Sequence, residues 1–286
     1  MDSEPVAHDT DAQAAQQPGN VLFDYAAGEL ARAIACLGWR GGRLHTGVHQ
    51  ARKSIRRTRA TLALGMPQLG AGAALIDREL GRMNRRLSKL RDAHAFVVAL
   101  DALIDKTSTA AALAVLRRVR RSAAAARAAR ARAELLEDPL LGDKRALLST
   151  LQAALPALPW NVVRQADVDA ALTRSLLDLD EAGARALAST RDTDWHRWRR
   201  RARRWSQQQR ALGENVGAHE PMQQHGKRLA VVLGEAQDFA LIIAHCGKRS
   251  PFADADRRML RELAAAGLEG LRERIAKKVA NFVRTP

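Results

Sequence analysis

The stretch Val48-His49-Gln50-Ala51-Arg52-Lys53-Ser54-Ile55-Arg56-Arg57-Thr58-Arg59 acquires two distinct faces when it is wound as a helix. At 3.6 residues per turn each residue advances by about 100°. His49, Arg52, Lys53 and Arg56 then share an arc of about 100°, while Val48, Ala51, Ile55 and, further on, Leu62 gather elsewhere. Such a helix docks by its apolar face and presents a row of cations on another. Like charges at these spacings destabilise a helix by a few tenths of a kcal/mol per pair. A merely solvated face would intersperse acids, yet no Asp or Glu occurs from Leu44 to Leu75. The row therefore reads as a surface for an anionic partner.

The same pattern returns later in the chain. His196 is followed by Arg199, Arg200, Arg203 and Arg204, an offset of 147 residues from His49 and its cations. Trp195, Trp198, Ala202 and Trp205 take the apolar face, and no acid occurs from Trp195 to Leu212. Each run precedes a second helix with Arg, Leu and Asp at fixed spacing: Arg82, Leu87 and Asp92, then Arg228, Leu233 and Asp238, now offset by 146. A nearly constant offset across two segments marks an internal repeat. Arg78, Arg82, Arg85 and Lys89 share one narrow face, with Arg86 beside it. Their counterparts include Val231, Val232 and Glu235, so the stronger part of the site is expected in the first half.

The rest of the chain agrees with a helical protein. Helical periodicity is expected from Val21 to Leu37, His45 to Leu64, Ala73 to Asp105, Thr109 to Glu137 and Lys144 to Leu155. It resumes from Asp167 to Ser189, Asp194 to Leu212, Met222 to Cys246 and Asp254 to Val283. Gly65, Pro67, Gly70 and Gly72 read as a turn. No strand-like alternation is evident, so the fold class is all-α, in two helical bundles. Residues 1–20 read as a disordered acidic tail, 21–140 as the first half and 141–286 as the second.

The net charge of the 286 residues is +16, and +20 beyond the tail, which carries Asp2, Glu4, Asp9 and Asp11 without a Lys or Arg. An excess of that size favours a polyanion. Aromatic residues make up only 4 %, which disfavours base stacking on exposed rings. Cys36 and Cys246 are isolated and read as buried small residues of a reducing compartment. No apolar run is long enough to span a bilayer, and the N-terminus lacks the pattern of a secretory signal. A cytoplasmic location without membrane partners is the expectation.

Taken together, Val48 to Arg59, Leu87-Ser88-Lys89-Leu90-Arg91-Asp92-Ala93 and their second copies resemble the CHAD family of histidine-containing α-helical domains. The likeness runs from about Val21 to the C-terminus. It implies two helical bundles related by a pseudo-twofold axis, a central basic cavity or groove that binds inorganic polyphosphate, and association with polyphosphate granules. By this resemblance His49, Arg52, Lys53, Arg56 and Arg57 match one wall, and Arg82, Arg85, Arg86 and Lys89 the next, with Arg78 on the same face. His196, Arg199, Arg200, Arg203, Arg204 and Arg228 match the opposing half. Trp198 and Trp205 depart from the smaller aliphatics common there.

Competing chemistries find less support. No Gly-rich phosphate loop and no cluster of acids for metal ions is present, so no enzyme, catalytic residue, metal or cofactor is expected. His45 and His49 have metal-ligand spacing, but Arg52 and Lys53 would oppose a cation. Asp92 and Asp238 are expected to anchor an Arg or cap a helix. The arginines between Arg117 and Arg132 spread round their helix and read as solvated exterior. The alternative partner is RNA or another nucleic acid, bound by charge without base reading. Surrounding cations are expected to keep His49 and His196 neutral until phosphate arrives, which would tighten binding at mildly acidic pH.

Overall fold

The computed structural model describes residues 17–213, 220–247 and 250–284, with side chains of 220–225 and 280–284 left aside. Among these residues ten α-helices and no strand occur. In chain order they are α1 (Pro18–Leu37), α2 (Leu44–Leu62), α3 (Met66–Arg86), α4 (Ser88–Asp105) and α5 (Ala110–Glu137). They continue as α6 (Gly142–Ala154), α7 (Gln165–Leu187), α8 (Asp192–Leu212), α9 (Glu220–His245) and α10 (Asp254–Arg284). The all-α class read from the sequence is the observed one, and no described helix is long and apolar enough to cross a membrane.

Most helix boundaries fall within about two residues of expectation, and two differences bear on the fold. The first helix begins at Pro18 rather than Val21. Pro suits a first turn, where its missing N–H is not needed, and Gly19 lets the turn press against the backbone of Trp160, whose carbonyl oxygen lies where a Cβ would be. The remainder of the acidic tail, residues 1–16, lies outside the described residues. The single helix expected from Ala73 to Asp105 is in fact two. It starts early, at Met66 with Pro67 in its first turn, bends at Gly70 (φ 67°, ψ −156°), and ends at Arg86. Only glycine adopts that bend at low cost. Leu87, fully buried, closes α3, and Ser88, a residue suited to helix starts, opens α4.

The chain packs as two compact units, each drawn from three stretches of sequence. The described residues of the first unit are 17–87, 138–179, 203–213 and 220–223; those of the second are 88–137, 180–202, 224–247 and 250–284. Packing thus divides the chain differently from a cut near residue 140. Helix α8 gives its residues up to Ala202 to the second unit and those from Arg203 to the first.

In the first unit α1 lies along α2, burying Leu22, Ala26, Leu30 and Ala33 with Val48, Ala51, Ile55 and Leu62. These last four are the apolar face expected of α2. The helices meet closely at Gly47, where a Cβ would stand 2.3 Å from the carbonyl oxygen of Cys36. The same unit holds a tight turn before α6. Leu140 (φ 62°) and Leu141 (φ 52°) are both left-handed there, and the buried Asp138 accepts hydrogen bonds from the Asp143 N–H (3.0 Å) and Lys144 Nζ (2.9 Å).

The second unit is centred on α4, α5, α9 and α10. Its core contains Phe96, Leu100, Leu116, Val119, Ile242, Leu260 and Ala264. The Phe96 ring stacks on His245, with centroids 4.1 Å apart. Trp195 and Trp198 are buried as their helical phase requires, and their rings meet at 5.6 Å. Cys36 and Cys246 are both buried free thiols.

Candidate functional site

In the first unit the basic face of α2 is less buried than its apolar face, with one exception. His49 is exposed, and Arg52, Lys53 and Arg56 are half-buried. Arg57 instead turns inward, where its Nη1 donates to Glu29 Oε1 at 2.7 Å. Its charge is thereby spent inside the α1–α2 contact rather than on the outer face. Two residues further on, Arg59 forms a two-pronged pair with Asp77, at 2.8 and 3.0 Å.

Lys53 shows the electrostatics of this face. Burial pushes its ammonium below the ordinary lysine value, and the charges of Arg57, Arg210 and Arg56 push it further, against a single opposing pull from Glu29. Arg210, in the last turn of α8, therefore belongs to the same basic field. The sequence reading missed it, although it lies seven residues beyond Arg203 and so continues that stripe. Arg203 is half-buried and Arg204 exposed, and both belong to this unit. On α3, Arg78, Arg82, Arg85 and Arg86 are exposed, and Arg82 pairs with Glu79 of its own helix.

The other expected site residues fall in the second unit. Lys89, His196, Arg200 and Arg228 are exposed. His196 donates from Nδ1 to Gln237 Oε1 at 2.6 Å. Arg199 is half-buried, and its guanidinium lies over Gly234 of α9, about 4 Å from where a Cβ would stand. Burial lowers the Arg199 value, as does Arg91, while Asp238 works in the opposite sense.

Arg91 was also missed. It sits beside Asp92, to which it donates at 2.8 Å, and Gln237 stands 146 positions further along the sequence. Asp92 thus anchors an arginine through a direct bond, and Asp238 faces Arg199 electrostatically. His94 accepts from Arg127 at 3.4 Å; burial and then the charges of Arg127 and Arg91 hold its imidazole below the ordinary value.

The arginines of α5 divide. Arg118 pairs with Asp256 and Arg120 with Asp101, whereas Arg117, Arg121, Arg130 and Arg132 are exposed. This helix is tied to its own unit by two acids, in contrast with the acid-free stretch around α2.

Such faces offer rows of strong hydrogen-bond donors. Arg can pair two oxygens of an anion at once and Lys one. The density of cations suits a ligand that carries many charges along its length.

The family model described as CHAD domain matches residues 25–247 of the chain. Among solved structures, PptA from Streptomyces chartreusis is 21 % identical, with 93 % of this chain and 99 % of that one covered at a TM-score of 0.63. The CHAD domain from the plant Ricinus communis is 17 % identical, with 89 % of each chain covered at a TM-score of 0.64. At these identities the likeness is one of fold. No curated protein matches the sequence.

Proposed function

The chain belongs to the CHAD domain family, and we propose that it binds inorganic polyphosphate through its basic helical faces, without converting it, and associates with polyphosphate granules. The family is associated with polyphosphate binding in general. The observation that carries the reading is the basic face of α2, where the exposed His49 stands with the half-buried Arg52, Lys53 and Arg56 on a helix that contains no acid. Arg56 and Arg210 add to the positive field at Lys53, and the one acid acting on it, Glu29, is already committed to Arg57. A helix face holding so much unbalanced charge is stabilised by a polyanion laid along it.

Binding proceeds by exchange of water and small counterions for protein cations. Polyphosphate carries about one charge per phosphate, and release of its condensed counterions contributes to affinity as it does for nucleic acids. Arg52, Arg56, Arg203 and Arg204 donate to phosphate oxygens, while Lys53 and Arg210 add charge behind them. Arg78, Arg85 and Arg86 extend the contact along α3. In the second unit Lys89, His196, Arg199, Arg200 and Arg228 supply a smaller set. The tryptophans of α8 are buried, so no aromatic platform for nucleobases is offered on that helix.

The test is competition. Labelled long-chain polyphosphate is displaced by unlabelled polyphosphate, or by charge-matched RNA or duplex DNA, at about physiological salt, where non-specific association is already weakened. Polyphosphate is expected to compete far better than either nucleic acid. Equal competition by RNA would replace this reading with that of a general anion track.

A further inference from the structure

Among the described residues of the second unit, Arg199 is unusual in how it is balanced. Its side chain is half-buried, and its guanidinium rests on the bare backbone of Gly234. Asp238 lies one turn further along the same face of α9. Neither Arg199 nor Asp238 closes a hydrogen bond or a contact ion pair among the described residues, so their attraction acts across a gap.

The neighbours of Asp238 are otherwise occupied. Arg91 comes from α4 and is bonded to Asp92 at 2.8 Å. Lys106 follows α4 and stands 3.7 Å from Glu235, the other acid of this part of α9. Asp238 is thus left as the counter-charge of Arg199. In the first unit, by contrast, Glu29 holds Arg57 in a closed and buried contact.

We infer that Asp238 is an internal counter-anion that restrains Arg199 in the free protein and gives it up when a phosphate chain binds. The inference rests on the polyphosphate reading above and names the residue that sets affinity in the second unit. An open pair is suited to this exchange, because no short bond has to be broken first. Once phosphate oxygens take over the guanidinium, the carboxylate is left partly buried beside new negative charge, and it takes up a proton. Burial already pushes the Asp238 carboxyl up, against the pulls of Arg199, Arg91 and Lys106, with Glu235 adding to the rise. Mild acid therefore releases Arg199, and binding in turn favours protonation.

The experiment compares the full chain with Asp238→Asn, using long-chain polyphosphate from pH 8 to pH 5. Asp238→Asn is expected to bind severalfold more tightly than the parent at pH 8 and to converge with it at pH 5. Glu235→Gln, which removes an acid already met by Lys106, is expected to keep the parent's gain in affinity on acidification but to shift it to lower pH, because Glu235 helps to raise the Asp238 carboxyl. Calorimetry in buffers of different ionisation heat adds a second readout. The parent takes up more protons on binding than either Asp238→Asn or Arg199→Gln, and this arm stands on Arg199→Gln if the asparagine variant fails to fold. Equal affinities with parallel pH profiles, or equal proton uptake, would overturn the inference while leaving polyphosphate binding intact. Failure of the parent chain to bind polyphosphate removes both.

Discussion

Arg57 and Glu29, on neighbouring helices of the first unit, form an ion pair of 2.7 Å whose side chains are 6 % and 7 % exposed. It ties α1 to the helix that carries the basic face. Removing one member of a buried pair leaves an uncompensated charge, at a cost of about 3–5 kcal/mol, whereas replacing both by apolar groups is often neutral. Glu29→Ala is accordingly expected to lower stability by about that amount in urea unfolding, and Glu29→Leu with Arg57→Leu to recover most of it. If the single variant unfolds like the parent, the pair is not what holds α1 to α2.

The outward cations have a different signature. Arg56→Glu and Arg203→Glu are expected to leave the helical circular dichroism spectrum unchanged while weakening polyphosphate binding. Each cation lost from the phosphate contact also flattens the dependence of log affinity on log salt by about one unit. A pair of variants with reduced affinity but the parent salt slope would place these arginines outside the contact.

Lys53 gives a prediction at alkaline pH. Its ammonium is held below the ordinary lysine value by burial and by Arg57, Arg210 and Arg56. Binding of phosphate favours the charged form, so affinity is greatest while Lys53 is protonated and falls as pH rises through its own value. Between pH 8 and pH 10 the parent is expected to lose more affinity than Lys53→Arg, whose charge persists throughout. Equal losses over that range would show that Lys53 does not contribute.

Leu140 is open to improvement. It is 56 % exposed and left-handed, with φ 62°. A left-handed conformation costs a side-chain-bearing residue roughly 1–2 kcal/mol, part of which glycine returns as lost chain entropy. Leu140→Gly is expected to raise stability by about 0.5–1 kcal/mol in denaturant titration. A loss of stability would mean that the leucine side chain contributes packing that outweighs its backbone strain.

Much of this arrangement is legible in the sequence wherever a short-range rule decides it. The 3.6-residue period alone separates Val48, Ala51 and Ile55 from His49, Arg52 and Arg56, and the structure buries the first set, exposes His49 and leaves Arg52 and Arg56 half-buried. It equally places Trp195, Trp198 and Trp205 inside. What escapes the sequence depends on partners far along the chain. Arg57 continues a basic run by spelling, and only Glu29, 28 residues earlier, turns it inward. Arg91 and Arg210 join the site because other helices bring Asp238 or Lys53 near them. The break at Leu87 has no proline or glycine to announce it; a buried leucine and the following serine divide what periodicity alone continues.

The division of each unit among separate stretches of sequence bears on how the gene can be cut. Helices α7, α8 and α9 each place residues in both units, and the first unit includes stretches from before and after the second unit's α5. A truncation near residue 138 would separate α1 to α3 from residues 138–179 and would leave α4 and α5 without α10. Neither polypeptide could complete its interior alone. Two such fragments made together would need each other to become folded, so the stretches on either side of that cut amount to one indivisible protein rather than a pair of exchangeable modules.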